Sequence, residues 1–114
     1  MISERHNDRS AYRVATTLAA CGIIPYGNFA QGEIHVAPNS KLTALTWYSS
    51  PDGVSFYPVQ DGAGNALANT TVTPSATGCA VAMPLALASC QNLKALATFS
   101  DGTTVDTISL TTKF

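Results

Sequence analysis

Charge is scarce in this chain. Lys and Arg number 6 and Asp and Glu 7 among 114 residues, so 11% are charged where soluble domains average roughly 25%. The net charge of −1 supplies no basic field for nucleic acid and no attraction to an anionic membrane, so neither partner is expected. Cysteine is sparse as well: Cys21, Cys79 and Cys90 make an odd count, with no Cys-x-x-Cys pair and no histidine at metal-ligand spacing. Neither a closed disulfide framework nor a zinc site is therefore indicated. Buried free thiols are expected, with a Cys79 to Cys90 bridge left open. No apolar run approaches the ~18 residues needed to span a bilayer. The stretch Val14 to Ile24, behind three arginines, imitates a secretory signal, but Glu4 and Asp8 precede it and Thr16 and Thr17 interrupt it. Synthesis in the cytosol is therefore expected.

What fills the composition instead is small and neutral: 17 Ala, 14 Thr and 10 Ser. An exterior of this kind suits being covered by neighbours. From Gly62 to Leu93 there is no charged residue at all, which points to assembly. The length is that of one domain with a sizeable core. The three arginines, Arg5, Arg9 and Arg13, all lie in MISERHNDRSAYR at the N-terminus, along with Glu4 and Asp8. Residues 1–13 read as a polar arm whose arginines are candidate anchors for carboxylates on a partner.

Over residues 11–21 two readings compete. Ser10 could cap a helix ending at Gly22, whereas Tyr12, Val14, Thr16 and Leu18 alternate as in a strand. The β-branched content favours the strand. We therefore divide the chain into an arm and first strand over 1–31 and a β-sandwich domain over 32–114.

From Gly32 the β pattern is steady. Glu33–Ala37 and Lys41–Ser49 form runs separated by Pro38-Asn39-Ser40, and in the second run Leu45 and Trp47 share a face. Ser50-Pro51-Asp52-Gly53 predicts a turn and Val54–Gln60 a returning strand. Ala66–Thr73 and Gly78–Met83 follow as uncharged strands, Pro84 opens a single helical turn over LALASC, and Leu93–Phe99 with Thr104–Thr111 close a last hairpin. Seven to eight short strands without a long helix predict an all-β antiparallel sandwich or jelly roll. Its expected core draws on Ile34, Val36, Leu42 or Leu45, Trp47, Phe56 or Tyr57, Val59, Val72, Val81, Leu85, Leu93, Leu96, Phe99, Val105, Ile108 and Leu110.

Groups with chemistry are few. His6 lies in the arm and His35 in a strand whose neighbours Ile34 and Val36 face the other way, so His35 points outward. Neither belongs to a nucleophilic constellation, and no catalytic, cofactor or metal residue is assigned. Asp61-Gly-Ala-Gly-Asn65 brings one carboxylate where a calcium loop takes several, and reads as a turn. Trp47 fits the core better than a ligand platform, and Tyr48 is the aromatic with the better claim to an exposed contact.

The runs GEIHVAPNSKLTALTWYSSPDGVSFYPVQDGAGNAL and VTPSATGCAVAMPLALASCQNLKALATFSDGTTVDTISL carry a resemblance. A strand from Gly32 towards Pro38, the Leu45-Thr46-Trp47 strand, the Asp52-Gly53 turn and the Tyr57-Pro58 strand follow in a characteristic order. The Asp61 to Gly64 loop, a strand into Pro84 with a small helix, Leu93-Lys94 and a final hairpin complete it. In that order, over about residues 32–112, the chain resembles short β-sandwich, discoidin-like virion proteins of tailed bacteriophages. The resemblance implies a structural role and no activity: a capsid decoration or auxiliary protein that binds the major capsid protein and copies of itself, located in virions assembled in the host cytoplasm. Two other roles stay open. One is a carbohydrate-binding or host-adhesion module of a tail or spike, with Tyr48, Tyr57 or Tyr26 in its site. The other is a tail or connector component.

Overall fold

Breakers and period-two runs, spaced along the chain as above, become nine strands among the described residues. The computed structural model describes residues 7–26, 31–73 and 75–113. The strands are β1 (Asn7–Ala15), β2 (Ile24–Pro25), β3 (Gln31–Val36), β4 (Leu42–Ser50), β5 (Tyr57–Pro58), β6 (Thr70–Thr71), β7 (Cys79–Ala82), β8 (Asn92–Phe99) and β9 (Val105–Lys113). Two short 3-10 helices, Leu18–Ala20 and Leu85–Ser89, are the helical pieces among the described residues. The fold is all-β, as the pattern predicts.

The strand order is β5-β4-β8-β1-β9-β3-β7, with β2 beside β8 and β6 beside β4. One half, β1-β9-β3-β7, is antiparallel throughout. The other half is built on the long β4–β8 ladder, from Leu42↔Phe99 to Ser50↔Asn92. They join where Ala15, the last residue of β1, pairs in parallel with Leu96 of β8. The sheet curls so that both halves send side chains into one core: Val14, Ile34, Val36, Ile108 and Leu110 from the first, and Leu42, Leu45, Trp47, Leu93, Ala95 and Ala97 from the second. Each buried aliphatic side chain contributes about 1.5–3 kcal/mol relative to exposure. All three cysteines are free, with Cys21 buried.

Four expectations change. First, the polar stretch read as an arm through Arg13 is already strand from Asn7. It pairs with β9 along its whole length, from Asn7↔Lys113 to Ala15↔Val105. Backbone groups need no apolar side chains to form a ladder, so composition hid this strand. An arm can only comprise residues 1–6, which lie outside the described residues. Second, the strand expected over Val54–Gln60 is ordered as a ladder only at Tyr57–Pro58. Asp52 holds the preceding loop closed: its Oδ1 accepts the N–H of Val54 at 2.8 Å and of Ser55 at 3.0 Å. Third, the strand expected over Ala66–Thr73 reduces to Thr70–Thr71.

Fourth, the core is drawn partly from other residues. Leu42 and Leu45 are both buried although three residues apart, because the register slips between Leu42 and Ala44 and a bulge returns Leu42 to the inner face. Leu85 and Val105 are exposed rather than inside, and of the pair Phe56 and Tyr57 the tyrosine is exposed and the phenylalanine half-buried. Ile24, Tyr26, Met83 and Leu87 take their place.

Candidate contact surface

The residues expected to meet partners do not converge on one spot. Arg13 is exposed near the C-terminal end of β1, where its carbonyl accepts the Gly22 N–H at 2.9 Å. With Thr16, Thr17, Ala20, Thr104 and Val105 it lines an open cavity of about 530 Å³. The Arg9 backbone sits in β1 opposite Thr111, and Arg5 lies outside the described residues. Tyr48 is half-buried on β4, opposite Lys94 on one side and Pro58 on the other. Lys94 is itself tied down: its Nζ donates to the Leu18 carbonyl at 2.8 Å and stands 4.8 Å from the Phe56 ring centre. Tyr26, a candidate for a sugar platform, is 1% exposed and belongs to the core, which removes it from any surface. Burial also pushes its hydroxyl pKa up, with the nearby Cys90 adding to the effect.

The exposed apolar groups lie elsewhere. Val54 is 82% exposed, Leu85 76% and Tyr57 60%. Leu85 is turned out by geometry: a 3-10 helix has three residues per turn, so Leu85 and Leu87 cannot share a face, and Leu87 is fully buried. The Pro84-Leu-Ala-Leu spacing carries that signal. Tyr57 stands beside Pro51, Pro58, Ser49, Ser50, Cys90 and Gln91 around a second open cavity of about 470 Å³.

Polar and ionisable groups are engaged in structure. The Cys21 thiol donates to the Ala95 carbonyl at 3.2 Å and the Thr17 carbonyl at 3.3 Å, and burial raises its pKa. Asp61 Oδ1 accepts the N–H of Ala63 at 2.8 Å and of Asn65 at 3.0 Å, closing the Asp61 to Asn65 loop as a turn. Among the described residues no group of three His, Cys, Asp or Glu side chains gathers as a metal site. His35 is half-exposed, its Nε2 3.2 Å from Oε1 of Glu33 on the same face of β3. Compared with protein-family models, curated proteins and solved structures, the chain matches none of them.

Proposed function

We propose that the chain is a structural protein of a tailed-bacteriophage virion, a capsid decoration or auxiliary protein that binds the major capsid protein and copies of itself. The observation that carries this reading is a weakly charged exterior studded with large exposed apolar side chains, Val54, Tyr57 and Leu85. Covering such groups on association is favourable, and interface centres are depleted of charge in the same way. The ordered motifs over residues 32–112 point in the same direction. Weak contacts of this kind gain strength when repeated over a shell. Quantitative mass spectrometry of purified particles tests it. Hundreds of copies per particle are expected, a handful would move the chain to a tail, connector or spike, and absence from particles overturns the reading.

A second reading, a carbohydrate-binding module, rests on Tyr57. This exposed tyrosine lines an open cavity together with the polar residues Ser49 and Gln91, a combination suited to stacking on a sugar face and bonding its hydroxyls. Binding on a glycan array that Tyr57→Ala abolishes supports it, and the absence of any glycan binding sinks it.

A further inference from the structure

β7 ends the strand order on its side, and among the described residues it pairs with β3 alone. The register decides which backbone groups face outward. The Met83 N–H donates to the Gly32 carbonyl at 2.9 Å, so Met83 belongs to the hydrogen-bonded positions of this ladder. By the two-residue alternation of antiparallel pairs, Val81 and Cys79 also turn their N–H and C=O towards β3. Ala80 and Ala82 therefore turn theirs to the open side, and both residues are exposed.

Sheet edges are ordinarily blunted by lysine, proline, a bulge or extreme shortness. The opposite end of the order is protected in this way: β5 has two residues, and one of them is Pro58, which has no N–H to offer. Pro25 does the same in β2. β7 reads Cys-Ala-Val-Ala, with no charge and no proline, and its register with β3 runs without a shift from Glu33↔Ala82 to Val36↔Cys79. Its flanks are equally neutral. Ser75, Ala76 and Thr77 precede it in an exposed turn, and Met83 and Pro84 follow it, the proline ending the edge before Leu85, which is 76% exposed. Glu33 and His35, the nearest charged or titratable side chains opposite β7, sit on β3 and pair with each other.

We propose that this edge is a homodimer interface, in which β7 of a second copy adds antiparallel to β7 about a two-fold axis through Val81. Ala80 of each copy then faces Ala82 of the other, and each such pair exchanges both its hydrogen bonds. A second copy fits better than a foreign strand because the edge offers no charge for a partner to recognise. It presents instead donors and acceptors that match their own image under a two-fold axis. The inference rests on the reading that the chain assembles with copies of itself.

The test uses the full chain in sedimentation velocity across a concentration series, with Ala82→Pro, which deletes an outward N–H and leaves the β3 ladder in place. Ala80→Lys, which guards the edge with charge, is the second variant should the first fail to fold. A reversible dimer is expected for the native chain, with dissociation at least tenfold easier in either folded variant. Hydrogen exchange of the Ala80 and Ala82 amides should slow as the dimer forms. A dimer that both variants leave intact overturns the edge while the assembly reading stands. A chain that stays monomeric to millimolar concentration overturns the edge, and one also missing from purified particles overturns the assembly reading with it.

Discussion

The indole Nε1–H of Trp47 donates to the hydroxyl of Thr70 at 2.8 Å, inside the core and between β4 and β6. Trp47 is 3% and Thr70 9% exposed, so water cannot replace either partner. Thr70→Val keeps the shape and strands the indole donor. It should cost about 1–3 kcal/mol, against a small effect for Thr70→Ser. Urea unfolding followed by tryptophan fluorescence measures both.

Gly78 precedes β7 with φ +82, and a Cβ there would stand 2.7 Å from the Val36 carbonyl oxygen. Gly78→Ala combines strain with a backbone clash and should destabilise by about 1–3 kcal/mol. Gly102, with open space around a Cβ, is the control, and Gly102→Ala should stay within about 0.5 kcal/mol. Thermal melts of the pair give the comparison.

Hydrogen bonds from the Val54 and Ser55 N–H groups and from the Ser50 hydroxyl hold the Asp52 carboxyl below its ordinary range. A carboxylate with a depressed pKa in the folded state adds stability above its unfolded value near 3.8, and loses it as pH falls through the folded value. Stability should therefore drop between pH 5 and pH 2, and Asp52→Asn should flatten part of that drop. Asp101, held down chiefly by Thr103, should account for another part. The denaturant midpoint at stepped pH, read in wild type and variants, decides this; a slope identical in all of them contradicts the assignment.

Deleting residues 1–13 removes all but Val14 and Ala15 of β1, the partner of β9 along its whole length. The truncated chain should lose its β-sheet circular dichroism. Deleting 1–6 leaves every described strand in place and should preserve it, which makes that shorter deletion the proper test of an arm in particle binding.

Much of the fold was legible because its signals are local. The alternation of Leu45 with Trp47, the Pro38-Asn39-Ser40 break and the Pro84 helix start act over a few residues, and the strands and turn appear where they predict. Positions that depend on a partner strand were not legible. Nothing local distinguishes Leu42, returned inward by a bulge against β8, from a residue on the outer face. Val105 looks apolar enough for the core, yet Ile108 and Leu110 set the inward phase of β9 and leave it outside. The contact surface was less legible still. Tyr26 and Tyr57 are alike as sequence, and only packing makes one core and the other surface.

The sequence by itself determined an all-β chain with a neutral exterior, because period, breakers and composition are properties of short segments. Tertiary structure alone decided that Asn7–Arg13 is sheet rather than arm, since its ladder to β9 joins segments some hundred residues apart. It also decided that β7 keeps an open edge, because among the described residues β7 pairs with β3 alone and turns the backbone groups of Ala80 and Ala82 outward.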